Sequence, residues 1–276
     1  MEIMIVLFEG HLMPLKIDYY VRVTEGGSLK LFRGVIVKEW FLSLLKNISE
    51  HMYKRVIASR DMYAFSVRPI QLLSRQEFSF NELKANVGDK LSFSVSILRE
   101  DLEGILAEEL MGVQEFNLGG LKGKREKVVI RRKLFKELMS FDLGARIGIS
   151  FKTPTVLKSE SNKHSCVFPE PIIIMSNLIS MWNKFAPGDL IIPIEPTLAR
   201  VRRMMKIKSY SLKTQEVLLG EEKVIGFSGK MELVIMNEGK SVSYVHPLLA
   251  FAEFSNIGVL NAYGLGVVEI VKLGGH

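Results

Sequence analysis

The strongest constraint on the fold of this chain is an order of periodic segments that occurs twice. In the first half, residues 16–23 alternate apolar and polar side chains, which predicts a half-buried strand. Residues 35–45 repeat apolar side chains at helical spacing. Further strands are predicted at 63–72, 91–97 and 128–132, and a helix at 101–110 with Asp101 as its N-cap. This order of strand, helix, strand, strand, helix and strand is that of a ferredoxin-like unit.

The second half repeats the order. The sequence predicts a strand at 146–157, a helix at Pro171–Phe185 with proline in its first position, and a hairpin of strands at 204–219 and 223–236. A helix at 246–253 and a strand at 266–272 complete the set. The 276 residues suit one large domain or two of ordinary size. The pattern is therefore compatible with two ferredoxin-like units that meet within residues 135–144.

Charge and composition restrict the partners. A net charge of +7 and a pI near 9.3 indicate a polyanionic partner. The single cysteine, Cys166, excludes an intrachain disulfide and a cysteine-rich zinc site, which fits a reducing cytoplasm. No apolar run reaches the roughly 18–20 residues that span a bilayer, so no membrane association is expected. Walker A, HExxH, G-x-S-x-G and CxxC motifs are absent from the sequence.

A glycine-rich stretch near the carboxyl terminus carries the most specific signal. Residues 247–270 read as a short apolar helix, a loop containing Gly258, Gly264 and Gly266, and a strand. Glycines in such a loop allow backbone N–H groups to approach a phosphate without interference from side chains. We therefore predict that this loop contacts a phosphate, and that Asn256, which tolerates a positive φ, preserves its first turn.

The spacing Asn256-Ile-Gly258, five residues, Gly264-Leu-Gly266 resembles the C-terminal signature of the CRISPR-associated RAMP proteins. The nearest likeness is to the sixth Cas protein family, endoribonucleases that cut precursor CRISPR RNA. Asn256 replaces the family's first glycine, Leu265 replaces its aromatic residue, and the usual basic residue is missing from 259–262. The resemblance to the family extends to three other segments, namely 151–157, 169–185 and, in the first half, 56–67.

The resemblance implies an α+β fold of two tandem ferredoxin-like βαββαβ domains, 13–138 and 139–276, the second carrying the glycine-rich loop. It also implies that Met13 is the native first residue and that residues 1–12 are an extension. The implied reaction uses no metal or cofactor: a 2′-hydroxyl attacks the adjacent phosphate and leaves a 2′,3′-cyclic phosphate and a 5′-hydroxyl. The implied partner is CRISPR repeat RNA or crRNA, with a homodimer and other Cas effector subunits left open.

The implied reaction needs a base, an acid and cations beside the phosphorane. His51 follows the first helix, where family members often carry a catalytic histidine, although it also reads as a solvated helix-end residue. Some archaeal members lack the histidine and rely on basic side chains. On that model the catalytic candidates are Lys38 on the first helix, Lys54 and Lys223, each of which could instead be a solvated charge.

Two basic tracts are candidate RNA surfaces. The first basic tract is 122–136 and the second is 200–213. Clusters of this kind supply salt-dependent affinity for phosphates, although a solvated strand face is the alternative. Outside the glycine-rich loop, the predicted RNA-binding residues are Arg60, Lys122, Arg125, Arg131, Arg200, Arg202 and Arg203.

Two other functions fit the same sequence. A non-catalytic RAMP subunit could bind guide RNA in a CRISPR effector complex, which the missing loop cation and the placement of His51 favour. An unrelated basic α/β module would bind any structured RNA with similar affinity.

Overall fold

The computed structural model describes residues 14–58, 62–74, 82–99, 103–159, 162–236 and 244–274. The first half contains seven strands and three helices within those ranges. In chain order they are β1 (Leu15–Glu25), β2 (Gly27–Leu29), α1 (Arg33–Ile48), α2 (Glu50–Ala58), β3 (Phe65–Leu72), β4 (Leu83–Ala85), β5 (Lys90–Ile97), α3 (Glu103–Gly112), β6 (Glu115–Leu118) and β7 (Leu121–Arg132). The predicted N-cap Asp101 lies outside the described residues.

The first sheet has the order β3-β5-β1-β7-β6, and every pair in it is antiparallel. Its four main strands follow the ferredoxin-like order, so the predicted unit is confirmed. The last strand begins at Leu121 and not at residue 128, because it forms a hairpin with β6. Gly123 in that hairpin leaves room for the side chain of Val21 on β1, which a Cβ would overlap. Strands β2 and β4 form a separate small sheet.

The second half adds four helices and six strands in the described residues. They are α4 (Phe135–Leu138), β8 (Arg146–Thr155), β9 (Leu157–Ser159), β10 (Asn162–Cys166), α5 (Pro171–Phe185), α6 (Ile194–Met204), β11 (Met205–Leu219), β12 (Glu222–Ile235), α7 (Val245–Ser255) and β13 (Val268–Lys272). Its main sheet has the antiparallel order β11-β12-β8-β13, which is again the ferredoxin-like order. The predicted hairpin and the helix at Pro171–Phe185 are confirmed. Helix α6 is an addition to the predicted elements.

The apolar faces of the helices cover one face of each sheet. Val37, Phe41 and Leu45, four residues apart on α1, are buried against the first sheet. In the second half, the rings of Phe135, Trp182 and Phe251 pack against one another. A single continuous core contains residues of both halves. The division at residues 138 and 139 stays a prediction.

The other face of the first sheet is polar, and the second half covers part of it. Lys16 Nζ donates to the carbonyl oxygen of Glu253 at 3.1 Å, and Ser66 Oγ donates to that of Phe254. Arg68 Nη2 donates to the carbonyl oxygen of Val268 at 3.1 Å. These bonds connect β1 and β3 with the end of α7 and with β13. We call this set of buried polar contacts between the two halves the polar joint. The glycine-rich loop lies beside it.

Candidate functional site

The glycine-rich loop, residues 256–266, connects α7 to the last strand. Asn256, Gly258, Gly264 and Gly266 have φ angles of +62°, +88°, +81° and +70°. The positive φ predicted for Asn256 is therefore confirmed. Its side-chain Nδ2 lies within hydrogen-bonding distance of the carbonyl oxygens of Val67, Asn261 and Leu265. Asn256 thus ties the loop to β3 of the first half.

The glycines make room for protein atoms. A Cβ on Gly258 would overlap the carbonyl oxygen of Val156, and one on Gly266 would overlap that of Ile257. The amides of Ile257, Val259, Gly264 and Gly266 donate to carbonyl oxygens within the protein. These four amides are therefore engaged internally, contrary to the open phosphate cradle expected from the sequence. Direct RNA contact by buried Asn256, Gly258, Gly264 and Gly266 stays a prediction.

The partly exposed residues of the loop, Val259, Leu260 and Tyr263, form its crest. Tyr263 of this crest contacts Lys38 of α1. The Nζ atom of Lys38 lies 4.1 Å from the centroid of the Tyr263 ring, and 5.8 Å from that of Tyr63, which precedes β3. Neither tyrosine stands out in the sequence as a site residue. The only signal for Tyr263 is an aromatic residue directly before a glycine of the loop.

The tip of the β11–β12 hairpin reaches the same place. Phe32, Val35, Val156, Val217 and Leu265 form a small buried cluster, called here the tip cluster. Partly buried hydrophobic residues of the hairpin and of the loop crest pack against it: Leu219, Val224, Val259, Leu260 and Tyr263. Helix α1, the glycine-rich loop and the hairpin tip therefore converge. Each of them carries residues that the sequence predicts as functional.

The structure places the other catalytic candidates as follows. Lys223 is exposed beside Val224 at the hairpin tip, and its Nζ pairs with Glu216 Oε1 at 3.0 Å. His51 and Lys54 are exposed on α2, and Lys54 pairs with Glu50 at 3.0 Å. Helix α2 contributes no described residue to the tip cluster. Lys38 and Lys223 thus lie on converging elements, whereas His51 and Lys54 lie on a helix outside that cluster.

Three cations of the first basic tract are paired with neighbouring acids. Lys122 pairs with Glu25 at 3.0 Å, and Lys124 pairs with Glu115 at 3.6 Å. Arg131 forms an ion pair with the buried carboxylate of Asp18 at 2.5 Å. Arg125 donates to the backbone carbonyl of Met111. Arg60 lies outside the described residues.

The second basic tract begins on helix α6, which precedes the predicted strand. Arg200, Arg202 and Arg203 belong to α6, which buries only Thr197 and Val201. Arg202, Arg203 and Lys206 are exposed, and none has a carboxylate within 4 Å among the residues that the structure describes. Lys208 pairs with Glu232 at 3.3 Å. The second tract therefore presents the less compensated charge.

The polar joint contains a buried ammonium group. The side chain of Lys16 is almost fully buried, and burial is the main cause that lowers its pKa from 10.5 to about 7. The positive charges of Arg68 and Arg131 lower this pKa further, while Asp18 and Glu253 raise it. Burial also lowers the pKa of Arg68.

Two other kinds of site are absent from the described ranges. In that part of the chain, His, Cys, Asp and Glu form no group of three or more that could hold a metal ion. The described helices also include none that is long and apolar enough to cross a membrane.

Two antiparallel ferredoxin-like sheets, with a glycine-rich loop between the last helix and the last strand, define a tandem ferredoxin-like protein. The family model for the CRISPR-associated endoribonuclease Cas6 matches residues 149–268. A Cas6 endoribonuclease of Streptococcus thermophilus is 26% identical over 181 residues, which are 64% of this chain and 73% of that protein. A Cas6 endoribonuclease of Mycobacterium tuberculosis is 23% identical over 125 residues, 45% of this chain and 38% of the relative.

Solved structures agree with these sequence matches. A Thermus thermophilus Cas6 protein in a product complex superposes with a TM-score of 0.76 at 17% identity, covering 94% of this chain and 100% of that one. A RAMP protein described as binding different RNA substrates gives a TM-score of 0.61 at 15% identity, covering 93% and 99%. Residues 149–268 thus match the Cas6 family model, and the chain shares the fold of solved Cas6 structures over nearly its whole length.

Proposed function

We propose that this chain is a metal-independent endoribonuclease that cuts CRISPR precursor RNA within the repeat. The observation that carries the proposal is the convergence of Lys38, the glycine-rich loop and the hairpin tip. The names of its relatives support the same activity: they are CRISPR-associated endoribonucleases. A structural neighbour described as binding different RNA substrates supports RNA as the ligand.

In the proposed reaction, the 2′-oxygen forms a bond to the adjacent phosphorus and loses its proton to a base. The bond from phosphorus to the 5′-oxygen breaks, and that oxygen takes up a proton. The products are a 2′,3′-cyclic phosphate and a 5′-hydroxyl. The ammonium of Lys38 would stabilise the negative charge of the phosphorane, and Lys223 at the hairpin tip is a second cation for the same role. His51 and Lys54 remain predictions for this reaction.

The test is cleavage of a panel of CRISPR repeat RNAs by purified protein in EDTA. We expect a single cut in the cognate repeat, with a cyclic phosphate on the upstream fragment and a 5′-hydroxyl on the downstream one. Mass spectrometry of the fragments distinguishes these ends from a 3′-hydroxyl and a 5′-phosphate. Repeat RNA that stays intact across a range of pH values, or is cut only when a divalent metal is added, would contradict the proposal.

Three variants separate the catalytic models. Loss of cleavage in Lys38→Ala with retained cleavage in His51→Ala supports the lysine model, and the reverse supports a histidine base. Loss in Lys54→Ala alone would move the site to α2. Retained RNA binding in each variant is the control that assigns the loss to the chemical step.

The second candidate is a non-catalytic RAMP subunit that binds guide RNA. The packing of the glycine-rich loop favours it, because four of its amides are engaged within the protein. Tight and repeat-selective binding without cyclic-phosphate product would decide for this candidate. Homodimer formation and contacts with other Cas subunits stay proposals that sedimentation of the purified protein can test.

A further inference from the structure

The surroundings of Lys38 differ from those of an ordinary solvated lysine. Its Nζ lies over the face of the Tyr263 ring at 4.1 Å from the centroid, which is the shortest cation–ring distance among the described residues. A cation over an aromatic face is attracted by the ring quadrupole. The long side chain of Lys38 is thereby held in one place, although it remains half-exposed.

The backbone fixes the ring relative to the helix. Gly34 lies one turn before Lys38 on the same face of α1, and a Cβ there would overlap the carbonyl oxygen of Tyr263. A Cβ on Gly264 would lie 2.9 Å from Pro69 Cγ and 3.1 Å from Gly34 Cα. The loop backbone therefore contacts α1 directly, and the two glycines set the height of Tyr263 along the helix.

We infer that Tyr263 is a positioning residue, which holds the Lys38 ammonium where the reacting phosphate binds. This inference rests on the proposed function. It gives the glycine-rich loop a role that differs from a phosphate cradle: the glycines allow the close approach that brings Tyr263 over Lys38. An ammonium already held in place does not lose its rotamer freedom during the reaction, and misplacement of a charge by about 1 Å can cost roughly a hundredfold in rate.

The test compares single-turnover cleavage by three variants at saturating protein. Tyr263→Phe keeps the ring face and should cleave at nearly the wild-type rate. Tyr263→Leu removes the face and should slow cleavage about five- to thirtyfold. RNA affinity should change little, since the effect belongs to the chemical step. Phe141→Leu is the matched control: it removes a ring from beneath another lysine, Lys133, at 5.4 Å.

A double variant separates positioning from simple packing. If Tyr263 acts through Lys38, adding Tyr263→Leu to Lys38→Met causes no further loss of rate. An equal loss in both backgrounds, or a wild-type rate for Tyr263→Leu, would overturn the inference while the proposed function stands. A wild-type protein that binds repeat RNA without cutting it would overturn both. Thermal unfolding of each variant shows whether the fold is retained.

Discussion

At the scale of single residues, Asn256 shows how a departure from a family signature is accommodated. Its φ of 62° and ψ of 175° lie in a backbone region that glycine adopts at little cost and other residues rarely adopt. Its buried amide compensates by hydrogen bonding to carbonyl oxygens on both sides of the loop and on β3. The residue therefore combines backbone strain with a cross-link between the two halves.

This balance predicts an order of stability for two substitutions. Asn256→Ala keeps the unfavourable backbone and loses the hydrogen bonds, whereas Asn256→Gly loses the same bonds and relieves the strain. We expect Asn256→Gly to be more stable than Asn256→Ala by about 1–2 kcal/mol, measured by chemical denaturation.

Asn177 provides the matched control for this prediction. It lies within helix α5, and its side-chain amide also bonds to a carbonyl oxygen, that of Lys158. In a helix, alanine is favoured over glycine by about 1 kcal/mol. Asn177→Ala should therefore be more stable than Asn177→Gly, which is the reverse of the order at residue 256. The same order at both positions would show that strain at Asn256 does not determine the difference.

At the scale of elements, the two basic tracts have the same charge pattern in the sequence and different electrostatics in the structure. Lys122 and Lys124 lie on β7 with carboxylate partners at 3.0 and 3.6 Å. Arg202 and Arg203, at the end of α6, have no carboxylate within that range among the described residues. A paired cation must give up its partner before it can bind a phosphate, so the two tracts should differ in affinity for RNA.

We predict that Arg202→Ala/Arg203→Ala weakens the binding of repeat RNA about tenfold. The logarithm of the RNA-binding constant falls linearly with the logarithm of the salt concentration. The slope of this line should become shallower by about 0.7 for each phosphate that the variant no longer neutralises. Lys122→Ala/Lys124→Ala removes the same charge and should cause a smaller loss on both measures. Fluorescence anisotropy over a salt series measures both quantities. Equal losses in the two double variants would show that ion pairing does not decide which tract binds.

The same elements show what periodicity can and cannot predict. Helix α5 is predictable because it has a continuous apolar face, and the β11–β12 hairpin because Gly220 separates two long segments of strand-forming residues. Helix α6 is missed because it buries only Thr197 and Val201, which leaves it without a clear apolar periodicity. The glycines indicate tight turns, but the sequence does not show which atoms fill the space beside them. Tyr263 and its contact with Lys38 are missed for that reason.

At the scale of the whole molecule, the polar joint makes the two halves dependent on each other. Alternation along β1 predicts that Asp18 faces away from the core, and by the same pattern Lys16 does so too. Both are nevertheless buried in the structure, because α7 and β13 cover that face. Such burial depends on how the second half packs, so no local pattern in the sequence could predict it.

The joint should make the stability of the whole protein depend on pH through Lys16. Its pKa is about 7 in the folded protein and near 10.5 when exposed, so between these values the unfolded chain binds one proton more. The free energy of unfolding should therefore rise with pH, by at most about 1.4 kcal/mol per unit. Below pH 7 the lysine is charged in both states and contributes no slope.

The variant Lys16→Met tests this dependence, because it keeps the length of the side chain and removes the titrating group. Between pH 7 and 9, the free energy of unfolding of the wild type should rise by about 2 kcal/mol relative to that of the variant, measured by denaturant titration. Asp18, Arg68, Arg131 and Glu253 face Lys16 and are present in both proteins, so their contributions largely cancel in the difference. Lys84→Met, at an exposed position on β4, should retain the wild-type slope. Parallel pH profiles for wild type and Lys16→Met would mean that the ammonium stays charged in the joint, held by Asp18 and the carbonyl oxygen of Glu253.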